Sequence, residues 1–162
     1  MVIIGPLPPP THGQAVVTQA VMERLKETRC DLVVINVASP SLSRTFIKRL
    51  SRVPRVLHGL INFLFSVPFQ ANLYMTISGG WGQIYDIAFL WIAKMFRMKM
   101  YIHHHNYTYA NSRFWLTNLI CKIAGKDSVH IFLCKQMYLS MKVKYPMIDK
   151  YICLSNAFLL SG

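Results

Sequence analysis

Acidic side chains are scarce in this chain: 6 Asp and Glu stand against 18 Lys and Arg, a formal charge of +12. Charged residues of either sign make up 15% of the sequence and apolar residues 53%, which excludes a disordered, collagen-like or low-complexity chain. A surface this basic and apolar expects an anionic partner, whether nucleic acid, phosphorylated substrate or anionic lipid. The four cysteines (Cys30, Cys121, Cys134, Cys153) form no CxxC pair, so a zinc ribbon or thioredoxin-type motif is excluded. Their scatter through apolar runs reads as buried, reduced thiols of an intracellular protein. No signal-peptide pattern is present, since Met1 leads directly into Val-Ile-Ile and Gly-Pro. The longest apolar stretch, 56–77, is interrupted by His58, Gly59, Asn62, Pro68, Gln70 and Asn72 and reads poorly as a membrane span.

What is present is an alternation. Short apolar runs at 2–4, 32–37, 72–77, 99–103, 129–133 and 151–154 read as strands, several of them closed by Gly, Pro or Ser. Helical spacing of apolar residues falls at 14–26, 42–65, 84–96, 114–124 and 135–144, with a break expected at Pro54. Strands apolar on both faces, alternating with helices, predict an α/β domain: a doubly wound, Rossmann-like parallel sheet with helices on both faces. Ligands of such sheets bind outside the carboxyl ends of the strands.

Three of those ends carry candidate residues. The first strand empties into a proline-stiffened loop that delivers His12 and Gly13 to a helix start. Free N–H groups there suit a phosphate, although a rigid connection would need the same residues. The loop is neither GxGxxG nor a lysine-bearing P-loop, which excludes dinucleotide and ATP sites of those kinds, and Asn36 stands where a dehydrogenase has an acid. Ser78-Gly79-Gly80-Trp81-Gly82 follows the third strand and allows close approach of a ligand or simply a flexible turn. His103-His104-His105-Asn106 follows the fourth, and strand alternation sets His103 and His105 on one side and His104 on the other. That geometry argues against a metal site. It favours acid–base or hydrogen-bonding work on a sugar or phosphate, while one or two of the histidines could instead pack against the next helix.

At this point the pattern resembles a known family. Pro8 to Gln14 with the following helix, the strand 101–106 ending in histidine, Phe132-Leu133-Cys134-Lys135, and 150–157 occur in the order seen in retaining glycosyltransferases of family 4. The resemblance spans nearly the whole chain. His12 replaces the first of the family's two loop glycines, and Cys134 stands where the family often has Ser. The resemblance implies one half of a GT-B architecture, with residues 1–149 as an N-terminal acceptor domain and 150–162 beginning a linker. The family's Glu, seven residues, Glu motif would lie in a second, donor-binding domain, since the only glutamates here are Glu23 and Glu27. The implied function is hexose transfer from a nucleotide-diphosphate sugar to a saccharide or lipid-linked acceptor in polysaccharide or glycoconjugate synthesis. His105, then His103, would serve the reaction; Gly13 and His12 would meet the donor phosphate; Gly79, Gly80, Trp81 and Asn106 would shape the acceptor groove. No metal or other cofactor is expected, and residues 1–162 alone are expected to be inactive.

A different class is a non-catalytic basic module binding anionic membrane or nucleic acid. Nucleic acid is disfavoured because no recognised motif appears and the basic residues do not interleave with aromatics. Membrane is favoured by the segment 44–65. Phe46, Leu50, Val53, Leu57, Leu60 and Leu64 draw an apolar stripe, and Arg44, Lys48, Arg49, Arg52 and Arg55 lie off it. No acidic residue occurs between positions 32 and 85. The expectation is a cytoplasmic protein held at the inner face of the cell membrane, with self-association possible where an apolar domain face is left uncovered. The competing reading of this segment is a core helix with a solvated basic face.

Overall fold

In the computed structural model, residues 1–28, 30–38, 53–67 and 71–157 are described. Six strands, β1 (Val2–Gly5), β2 (Val33–Asn36), β3 (Asn72–Ile77), β4 (Lys99–His104), β5 (Val129–Phe132) and β6 (Lys150–Cys153), form one all-parallel sheet in the order β2-β1-β3-β4-β5-β6. Among the described residues the helices are α1 (Gly13–Glu27), α2 (Val53–Ser66), α3 (Gln83–Met95), α4 (Thr108–Asn111), α5 (Trp115–Ala124) and α6 (Lys135–Lys144), with a 3-10 turn at Gly80–Gly82. The fold is thus a Rossmann-like, doubly wound α/β domain, and the sheet continues past position 149 into β6.

Direction of travel across the sheet sets the layers. From β1 the chain steps one way to β2, then turns back and runs β3 to β6 the other way. Right-handed crossovers place the helices of opposite travel on opposite faces. Accordingly α1 packs Val17 and Val21 on Ile3, Tyr74 and Ile131, while α2, α3, α5 and α6 cover the face carrying Ile4, Met75, Ile102 and Phe132. The sheet order reverses between β1 and β3, and sheets of this kind hold ligands outside the carboxyl ends of the strands at such a reversal.

Local chemistry explains the ends of α1. His12 is extended, and its Nδ1 accepts the Ala15 N–H at 3.3 Å, serving as the N-cap. Arg24 and Lys26 lie in the last turn, favourable against the helix dipole. Helix α2 starts one residue before Pro54, where a missing N–H costs little. Its inner face is Val56, Gly59 and Phe63; of the apolar stripe, Leu57 and Leu64 point outward and Val53 and Leu60 are half-buried, so the stripe is not the face that packs on the sheet. Gly59 is the reason, because a Cβ there would lie 3.0 Å from Ile35 Cγ2 and 3.4 Å from Phe89 Cζ. The glycine lets the backbone itself approach the sheet. Lys48, Arg49 and Arg52, with the stripe residues Phe46 and Leu50, lie outside the described residues. Arg55 is described, and its Nη1 donates to Ala38 O at 2.7 Å. The cysteine expectation needs correction: Cys121 is buried and Cys134 half-buried, but Cys30 and Cys153 are exposed, and all four are free thiols. They stand at a turn and on the edge strand, where no helix covers them.

Candidate functional site at the carboxyl edge

Polar contacts tie the loops after β1 and β2 together and join the start of α1 to the end of β3, and the loops after β3 and β4 approach closely. Asn36, at the end of β2, accepts the N–H of Leu7 at 3.1 Å and of Ala38 at 2.9 Å through one carboxamide oxygen, bracing the proline loop. Gln14 Nε2 reaches Ile77 O at 3.3 Å, joining the start of α1 to the end of β3. Gly5 sits where these elements cross, and a Cβ there would meet Thr76 Oγ1 at 2.6 Å. The glycine loop is held from below by Asp86. This buried carboxylate accepts the Ser78 N–H at 2.7 Å and the Ser78 hydroxyl at 3.1 Å.

Gly79 and Asn106 are brought together, since a Cβ on Gly79 would fall 2.4 Å from Asn106 Nδ2. Asn106 Oδ1 in turn accepts the Thr108 N–H at 2.8 Å. Gly80 adopts φ +55°, the left-handed region that a glycine occupies without strain. Trp81 is exposed and meets Phe114 and Trp115 edge-on, each at 6.4 Å between ring centroids. Gly13, by contrast, has open space where a Cβ would be.

The three histidines divide as strand alternation requires. His103 and His105 lie together, ring centroids 3.9 Å apart. His104 faces the opposite core, stacked on His130 at 5.2 Å and Phe132 at 4.9 Å, with its Nε2 2.9 Å from His130 Nδ1. His104 is therefore a packed core histidine. His103 is fully buried and its Nδ1 is 2.7 Å from the Tyr74 hydroxyl. His105 alone of the trio is partly exposed. Nε2 of His103 and of His105 has no hydrogen-bond partner among the described residues.

Burial sets their protonation. It pushes His105 down to about 4, and burial together with the nearby His105 pushes His103 down to about 3. Both imidazoles are neutral at neutral pH, so each carries one N–H donor and one lone pair. This suits hydrogen bonding to a hydroxyl rather than delivery of a proton from imidazolium. Among the described residues no three His, Cys, Asp or Glu side chains are placed to hold a metal.

Several site residues escaped sequence reading. Asp86 is the lone acid between positions 32 and 126, a signal that a buried carboxylate has a fixed task. Trp115 and Phe114 complete the aromatic group around Trp81. Cys134, the N-cap of α6, lies 2.9 Å from the Tyr107 hydroxyl. That contact, and then the Met137 N–H, lower its thiol pKa. No family model, curated protein or solved structure matches the chain.

Proposed function

We propose that this chain is the acceptor-side, Rossmann-like half of a GT-B-type retaining glycosyltransferase, working with a donor-binding domain. The carrying observation is the pair His103–His105 at the carboxyl edge: His105 is a half-buried neutral imidazole whose enclosed Nε2 has no hydrogen-bond partner among the described residues, on the strand next to the one where the sheet order reverses. In this reading His105 hydrogen-bonds a hydroxyl of the transferred hexose, and His103, fixed by Tyr74, holds the His105 ring in place. The N-terminus of α1, with Gly13 open to approach, meets the diphosphate of a nucleotide sugar. His12 contributes by capping the helix rather than by touching the ligand. Gly79, Gly80 and Asn106 form one wall of the acceptor groove, and Trp81 with Trp115 offers aromatic faces to a saccharide ring. The new glycosidic bond forms as the bond to the diphosphate breaks, and no metal is part of the proposal.

The test compares residues 1–162 with the protein carrying its second domain, using a panel of nucleotide-diphosphate sugars and saccharide acceptors. Transfer is expected only with both domains, because half of the charge-stabilising cleft belongs to the donor side. Transfer by residues 1–162 alone would overturn the division of labour.

A further inference from the structure

The helix layer opposite α1 is apolar on its outside as well as its inside. Helix α2 buries Val56, Gly59 and Phe63, yet Leu57, Ile61, Leu64 and Phe65 on its other side are exposed by 46% to 76%. Helix α3, packed between α2 and α5, adds Trp91 and Met95, exposed by 58% and 63%. Single exposed apolar residues are ordinary, but a run of them across neighbouring helices marks a contact surface. The same helices carry one acidic residue, Asp86, which is buried and bound to Ser78. No exposed carboxylate interrupts the outer surface of α2, α3 or α5.

At the C-terminal end of α3 this surface meets a basic cavity. The cavity, about 420 Å³, is lined by Lys94, Arg97, Lys99 and Lys150 against a single carboxylate, Asp127. Asp127 is engaged by Lys150 at 3.1 Å, which leaves three cations without a carboxylate on the cavity wall. Met95 and Phe96 stand between Lys94 and Arg97 in the chain, so apolar side chains border the cationic ones.

We propose that the outer surface of the α2–α3–α5 layer docks on an anionic lipid bilayer. Leu57, Ile61, Phe65, Trp91 and Met95 enter the boundary of the acyl region, and the Lys94–Arg97–Lys99 cavity takes lipid phosphates. Apolar side chains beside clustered cations are the composition of an interfacial element, and tryptophan is favoured at that depth. Charge selects the bilayer over a second copy of the chain. A two-fold pairing would set identical surfaces face to face, bringing +12 against +12 with no acid on either face to meet the cavity. None of the residues named for docking belongs to the His105 site, so their loss leaves the proposed transfer chemistry standing.

The experiment is co-flotation with phosphatidylcholine vesicles, with and without phosphatidylglycerol, at low and high salt. The protein is expected to float with the anionic vesicles, less so at high salt, and weakly with phosphatidylcholine alone. Leu57→Gln/Ile61→Gln/Phe65→Gln should lower partitioning by about a hundredfold or more. Lys94→Gln/Arg97→Gln/Lys99→Gln should abolish the preference for phosphatidylglycerol. Val143→Gln, on the exposed side of α6 at 84% exposure, should change nothing. Quenching of tryptophan fluorescence by brominated lipid reads the same contact in the unsubstituted protein, whatever the variants do to folding. Absence of flotation and quenching overturns the proposal, as does an apolar triple variant that binds like the parent. Self-association abolished by the same triple, without vesicle binding, would reassign the surface to a copy interface and equally overturn it.

Discussion

Acidification should unfold this domain through its buried imidazoles. His103, His104, His105 and His130 are all held neutral, and burial is the largest cause in each case. His130, for example, falls from 6.5 to about 4. The folded pKa lies below the unfolded one, so the unfolded chain takes up protons first as pH falls. Stability is therefore fully present above about pH 6.5 and drains away between that value and about pH 4. For one such group, moving from about pH 7.5 to about pH 5 removes roughly 2 kcal/mol. His103, His105 and His130 acting together remove roughly 6 kcal/mol, a large part of the 5–15 kcal/mol typical of a domain, and His104 acts in the same direction. Urea titrations followed by circular dichroism across that range should show the midpoint falling steeply toward zero denaturant. Replacing the stacked pair by His104→Phe/His130→Phe should roughly halve the slope, since two of the four proton acceptors are gone. A midpoint that stays level from about pH 7.5 to about pH 5 would mean that these imidazoles are not buried neutral, because buried neutral imidazoles cannot be indifferent to protons.

Other expected outcomes bear on the carboxyl edge. Gly13→Ala should leave the melting temperature unchanged, because open space surrounds the missing Cβ, yet weaken nucleotide-sugar binding measured by calorimetry if a phosphate approaches that backbone. Gly79→Ala should instead destabilise by about 1–3 kcal/mol, since its Cβ would strike Asn106 Nδ2; an unshifted thermal melt would contradict the tight loop contact. Cys134 should be alkylated faster than buried Cys121, and Tyr107→Phe should slow it, because the Tyr107 hydroxyl is the main group favouring the Cys134 thiolate. Mass spectrometry of timed iodoacetamide labelling reads both rates.

The architecture was legible because its signals are local. Runs such as 72–77 and 135–144 match β3 and α6 residue for residue, and the period of a strand already separated His104 from His103 and His105. Short Thr108–Asn111 and Gly80–Gly82 were not anticipated, since a single turn has too few residues to show a period. The buried face of α2 went unread for a different reason. Hydrophobic periodicity ranks leucines, whereas the sheet chose the face where Gly59 lets Ile35 approach. A close contact made by the absence of a side chain leaves no apolar signature. The same blindness hid Gly5 and Asp86. The roles of those residues depend on partners such as Thr76, which is 71 positions from Gly5, or on a loop turn closed eight positions away at Ser78.

In the proposed function, His105 is the group that meets the transferred sugar. The direct measurement is the rate of hexose transfer by the two-domain protein with wild-type His105, with His105→Ala, and with His103 and His105 both changed to Ala. The single substitution should lower kcat by about ten- to ten-thousand-fold, with thermal stability at neutral pH nearly unchanged because His105 is partly exposed. A double variant that transfers hexose at the wild-type rate would contradict the account.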